Sequence, residues 1–194
     1  MPLSLRQTVP PTQIALSLSQ IRQHLRLDAD FVEEDTLLLL YAQAAQDYVE
    51  RFTRRQLLTA TFVLAVDGFP MCGVLGLPRP PLQSITSVEY LDSAGGLQTL
   101  DPSVYGVDTL SEPGRLYVRQ GQSWPATLAE IHAVTITYVA GWATYAQVPA
   151  TLQMALLLLI GHCYEHREAT VEKSLTEIPL GITALLWQQR SEGL

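Results

Sequence analysis

Between Leu77 and Asp92 the chain reads LPRPPLQSITSVEYLD, with three prolines in four residues running directly into β-prone residues. Proline fixes φ and removes a backbone donor, so Pro78, Pro80 and Pro81 exclude both a helix and a central strand from this approach. Ile85, Val88 and Tyr90 then belong to a strand that stops at the turn signal Asp92-Ser93-Ala94-Gly95-Gly96. The same chemistry extends on both sides. Thr59 to Val66 alternates, Asp67-Gly68-Phe69-Pro70 breaks it, and further short strands are expected at Val74 to Leu77, Leu97 to Leu100, Val104 to Val107, Leu116 to Arg119 and Ala133 to Val139. Turn signals at Asp101-Pro102, Pro113-Gly114 and Gly121 separate them. The middle of the chain therefore reads as a small antiparallel sheet or barrel.

Helical patterning flanks it. Ser17 and Gln20 fit a capping box that opens a short helix with Leu18, Ile21 and Leu25 on one face, ending near Asp28. Asp30 and Glu33 fit a second box, opening a long helix from about Phe31 to Arg54. Its apolar positions are Leu37, Leu40, Tyr41, Ala44, Ala45, Tyr48, Val49 and Phe52, with Asp47, Glu50 and Arg51 turned to water or a neighbour. After the strands, Pro149 suits a first helical turn. Leu152, Leu156, Leu159, Ile160 and Cys163 form an apolar face, and Gly161 among them predicts close approach of another backbone. A last short helix carries Leu185, Leu186 and Trp187. The fold class expected is α+β: a helical bundle, with a long central helix and C-terminal helices, interrupted by a β-rich antiparallel insertion. The parts are 1–56 helical, 57–145 β-rich and 146–194 helical.

With 194 residues, 47% of them hydrophobic, the chain can bury a core in one domain or one domain with a large insertion. A net charge of −7, with Lys173 the lone lysine beside 11 arginines, gives no overall footprint for gripping DNA phosphates. Two cysteines, Cys72 and Cys163, read as reduced thiols of a cytosolic product. Met1 to Pro11 lacks the apolar core of a signal peptide, and the longest apolar run, Met154 to Gly161, is too short to span a bilayer, so no membrane partner is expected.

Several segments, in this order and spacing, resemble the head–tail connector (adaptor) proteins of long-tailed bacteriophages and gene transfer agents. They are Leu18 to Arg26, Ala44 to Glu50, Leu77 to Asp92, Leu100 to Tyr105, Gly121 to Pro125, Tyr138 to Trp142, His162 to Glu168 and Pro179 to Gly181. One departure is local: the family tends to have glycine after the threonine closing the long helix, and here Thr53 is followed by Arg54-Arg55. The resemblance implies a non-enzymatic virion protein without cofactors, forming a ring of twelve in the particle neck. Its partners would be the portal protein, a stopper or tail-completion protein, and double-stranded DNA passing through the lumen without sequence-specific binding, with assembly in the host cytoplasm. Within that frame the terminal amphipathic stretch is the expected portal-docking element, through Pro179, Leu180, Leu185, Trp187 and Arg190, because so short a tail cannot bury its apolar residues alone.

The alternative is a small zinc-dependent hydrolase. His162-Cys163-Tyr164-Glu165-His166 has the H-x-x-E-H spacing that puts two imidazoles on one helical face, with Glu165 as base. Against it, only 28 residues follow His166, and none of their carboxylates, Glu168, Glu172, Glu177 and Glu192, sits in a second helical motif. The acidic run Asp28, Asp30, Glu33, Glu34 and Asp35 lacks calcium-loop spacing. Trp124, Trp142 and Trp187 are each read either as core or as contact residues.

Overall fold

The computed structural model describes residues 3–166 and 180–191, with Leu180 described in its backbone only. They form two compact units: residues 3–11 with 59–141, and residues 12–58 with 142–166 and 180–191.

The first unit is built of eight strands: β1 (Ser4–Val9), β2 (Ala60–Val66), β3 (Val74–Leu77), β4 (Leu82–Leu91), β5 (Leu97–Thr99), β6 (Tyr105–Asp108), β7 (Gly114–Val118) and β8 (Val134–Ala140). One antiparallel sheet runs β1-β2-β8-β4-β5 and a smaller one β3-β7-β6. Every strand expected in the middle of the chain is present, with ends displaced by three residues at most. The N-terminus departs from expectation: Ser4–Val9, grouped with the helical part by its position, pairs with β2 instead. Its residues are nearly all exposed, so it offers no apolar alternation for sequence to reveal.

β2 and β8 alternate strictly between core and partly covered positions. Ala60, Phe62, Leu64 and Val66 lie directly opposite Ala140, Tyr138, Ile136 and Val134, and these cross-strand pairs centre the β core. In β4, Ile85 and Val88 both pack against that core although three residues separate them. A register shift between Ile85 and Ser87 supplies the extra residue, as a β-bulge does. The hairpin to β5 turns at the expected place: the Asp92 carboxylate accepts from the Ala94 and Gly96 amides at 2.9 Å, and Gly95 takes φ +83°. Hydrogen bonds from the Gln98 side chain first, then from these amides, hold the Asp92 carboxyl below the usual carboxylate range.

The proline-rich approach to β4 is tied down from the side, where the fully buried Tyr138 donates its hydroxyl to the Pro78 carbonyl at 2.8 Å. Burial holds its phenol protonated, its pKa raised well above the ordinary value. Tyr138→Phe leaves that carbonyl without its donor and is expected to cost about 1–2 kcal/mol in urea unfolding; an unchanged midpoint would mean that the bond contributes nothing.

The second unit contains α1 (Leu18–Leu25), α2 (Asp35–Thr53), α3 (Ala150–Glu165) and α4 (Leu180–Gln188), with a 3-10 turn at Tyr145–Gln147. The Ser17–Gln20 capping box forms as expected. The Asp30–Glu33 box does not. Turns from Asp28 to Phe31 and from Val32 to Asp35 occupy that stretch, and α2 starts where Asp35 pairs with Arg22. At its other end α2 stops at Thr53, with Arg54 in the left-handed conformation (φ +58°) that a glycine would take more easily. The helix thus ends at the family's place without the family's residue.

The buried stripe of α2 is Leu38, Ala42, Ala45, Val49 and Thr53, which shares Ala45 and Val49 with the expected one; Leu40 is 58% exposed. Four consecutive leucines, 37–40, fit either phase, and packing against Leu152, Leu156, Leu159 and Ile160 of α3 selects Leu38. Gly161 in α3 faces side chains and not backbone, since a Cβ there would lie 3.2 Å from the His24 ring.

Candidate interaction surface

The C-terminal helix docks on the end of α2. Ile182 (3% exposed) and Leu186 (0%) enter the helical core, the Ser191 amide donates to the Thr53 carbonyl at 2.8 Å, and Arg55 Nε donates to the Gln189 carbonyl at 2.6 Å. The cover that α2 and α3 supply thus reaches Ile182 and Leu186, which are not among Leu180, Leu185 and Trp187, the residues expected to need a neighbour. Trp187 is what the packing leaves out, at 56% exposed. Its ring meets Phe52 edge-to-face at 5.5 Å, and Phe52 stacks on Tyr48 at 6.0 Å. The Arg190 guanidinium lies 4.6 Å from the Trp187 ring centre and 5.9 Å from that of Phe52. The result is an aromatic ladder capped by a cation.

Of the five residues expected to dock, Trp187 and Arg190 come together in this ladder. Leu185 is on the same helix and partly buried, Leu180 opens that helix, and Pro179 lies outside the described residues. Sequence reading missed Phe52 and Tyr48 as members of the surface, having placed both in the core stripe. Their four-residue spacing shows that they are neighbours, but nothing in the sequence links Phe52 to Trp187, 135 positions on.

A polar cluster braces the same end of α2. The Glu50 carboxylate, expected to face water or a neighbour, is half-buried and accepts from Gln46 Nε2 (2.9 Å), Gln56 Nε2 (3.0 Å) and the Leu57 amide (3.1 Å). Gln46 in turn accepts from the Ala15 amide at 2.9 Å. Gln46 and Gln56 are buried, so these bonds hold the segment before α1 and the chain leaving α2.

The other candidates gather less. His162 and His166 stack with ring centres 4.6 Å apart, but His166 is at the helix end and its Nδ1 donates to the His162 carbonyl. Among the described residues no three His, Cys, Asp or Glu side chains converge as a metal site. In the acidic run, Asp35 is paired with Arg22, and Glu34 accepts from the Tyr164 hydroxyl at 2.7 Å. Trp124 stacks on Phe69 at 4.6 Å and Trp142 packs on the helical core, leaving Trp187 the outward-facing tryptophan. In the small sheet, Asp108 binds Ser111 and Arg115; the Ser111 hydroxyl and amide foremost hold its carboxyl down at about 2.

An exposed aromatic ladder capped by an arginine has the composition common at protein–protein contacts. Comparison with known proteins gives the same class. Residues 15–84, from the segment before α1 to the start of β4, match the family model described as phage gp6-like head–tail connector protein. Over its full length the chain is similar to a chain in the neck of an empty gene transfer agent (GTA) particle computed with C6 symmetry, with 28% identity, coverage of 100% of this chain and 97% of the other, and TM-score 0.77. The virion of a native GTA particle contains a chain similar at 27% identity and TM-score 0.76, with the same coverage. In the neck of a native GTA particle computed with C12 symmetry the values are 26% and 0.70, again with that coverage. A search of the curated proteins gave no match. These similarities bear out the resemblance, read from the sequence, to head–tail connectors of the phage and gene-transfer-agent kind, structural proteins of the particle neck.

Proposed function

We propose that the chain is one subunit of a ring beneath the capsid portal, a helical part interrupted by a β-rich one, joining the portal to the stopper or tail-completion protein while DNA passes through the centre. The observation that carries this reading is the end-to-end similarity to neck chains, one of them in a neck computed with C12 symmetry. The mechanism is geometric and non-enzymatic. Subunits of a cyclic ring meet through two different lateral faces, so each copy binds the next in the same way. A weak lateral contact becomes strong once a symmetric portal holds all copies at once, which lets free subunits remain monomeric until assembly in the host cytoplasm. The terminal stretch Pro179, Leu180, Leu185, Trp187 and Arg190 is the portal-docking element of this proposal. Net charge of −7 keeps the lumen from gripping DNA.

Deleting the gene is expected to yield DNA-filled heads with portals and no attached tails, counted by electron microscopy. Tailed particles at the normal frequency would refute the role.

A further inference from the structure

Four of the chain's eleven arginines, Arg51, Arg54, Arg55 and Arg190, collect at one end of the helical unit of an otherwise acidic protein. The hydrogen bonds from Arg55 to Gln189 and from Ser191 to Thr53 bring the end of α4 beside the end of α2. Arginines at helix C-termini often do no more than offset the helix dipole. Here two helix ends contribute together about −1 charge and Glu50 one more, against the guanidinium groups of Arg51, Arg54 and Arg190 and that of Arg55, which is engaged. Among the described residues Arg51, Arg54 and Arg190 have no carboxylate partner. Glu50, one turn back on α2, is occupied by Gln46, Gln56 and the Leu57 amide.

Geometry separates Arg190 from an ordinary solvated arginine. Its guanidinium carbon lies 4.6 Å from the Trp187 ring centre and 5.9 Å from that of Phe52, within cation–π reach of two rings set nearly perpendicular to each other, and both restrict where it can sit. A guanidinium confined by two rings and without a carboxylate partner among the described residues is suited to a planar carboxylate, which it can bind through two parallel hydrogen bonds. The half-exposed Trp187 beside it supplies the apolar anchor that a phosphate backbone does not need and a protein segment does.

We propose that the Trp187–Arg190 surface, with Arg51 and Arg54 at its margin, is a socket for a protein segment presenting a carboxylate next to an apolar side chain. On the portal reading above, on which this inference rests, that segment belongs to the portal. The two rings confine the arginine beside Trp187, so charge attraction and side-chain shape act at the same point.

The test measures binding of the full-length chain to the purified portal ring of the same genome, with circular dichroism confirming that each variant is folded. Arg190→Gln is expected to weaken binding about tenfold or more. Arg190→Lys should recover at most part of that loss, because an ammonium keeps the charge without the planar fork of donors. Raising NaCl from about 0.05 to about 0.5 M should weaken the wild type much more than Arg190→Gln. Wild-type-tight binding by folded Arg190→Gln overturns the socket while leaving the portal reading intact, whereas absence of wild-type binding overturns the portal reading and the socket with it. Binding of duplex DNA that is lost in Arg190→Gln, with portal binding unaffected, assigns the surface to phosphates and equally overturns the proposal.

Discussion

Replacing Glu50 by alanine is expected to destabilise the protein by about 3 kcal/mol, because the loss falls on the donors left behind. Gln46 and Gln56 are buried, and with the Leu57 amide they direct three hydrogen bonds at this one carboxylate. A buried donor stripped of its acceptor costs about 1–3 kcal/mol, so even partial compensation by water leaves a large net loss. Glu50→Gln keeps a carbonyl oxygen in place and should cost less than half as much. Urea unfolding of both variants checks this: equal midpoints for the alanine and glutamine forms would show that the carboxylate is not the hub described.

Gly114→Ala is expected to cost about as much by the opposite route, overpacking. Gly114 opens β7 opposite Leu77, and a Cβ there would lie far inside van der Waals contact, 2.6 Å from Leu82 Cδ2 and closer still to Leu82 Cβ. The tip of a leucine can rotate away, but its Cβ moves only with the backbone, and Leu82 is fixed between Pro81 and its pairing with Ala140. Crowding of this kind typically costs about 1–3 kcal/mol, and the rigid neighbour places this site at the upper end. Leu82→Ala trims only the side chain beyond Cβ, so combined with Gly114→Ala it should recover part of the loss and no more. A Gly114→Ala protein that melts like the wild type would contradict the close approach of β7 to Leu82.

The sequence carried the strands better than it carried the surfaces. Prolines 78, 80 and 81 marked the start of β4, Asp92 to Gly96 marked its hairpin, and Phe62 and Tyr138 sat on legible alternating faces, because turn chemistry and period-two burial are local. β1 was hidden for the converse reason: its residues are mostly exposed, so no pattern distinguishes it from a loop. In α2, four leucines in a row left the phase of the helix to α3, and Leu40 came out exposed while Leu38 went in. Glu50 read as a charge facing water or a neighbour, since nothing near it in sequence announces that Gln46 and Gln56 will converge on it from one turn back and from beyond the helix end. The candidate surface was half visible. Trp187 and Arg190 stood out as terminal and amphipathic, but their supports, Phe52 and Tyr48, come from a helix more than a hundred residues earlier. The family resemblance was legible because it depends on the order of many short segments, whereas a docking surface depends on which distant residues the fold brings together.

Mixing the purified chain with the portal ring encoded in the same genome and weighing the product by mass photometry tests the connector role most directly. With twelve subunits, as the C12 neck symmetry of a similar protein suggests, the portal should gain 12 × 21.4 kDa, about 257 kDa, in one step without abundant partial rings. A portal peak that does not move at micromolar concentrations, with both proteins folded, would contradict a ring subunit that docks beneath the portal.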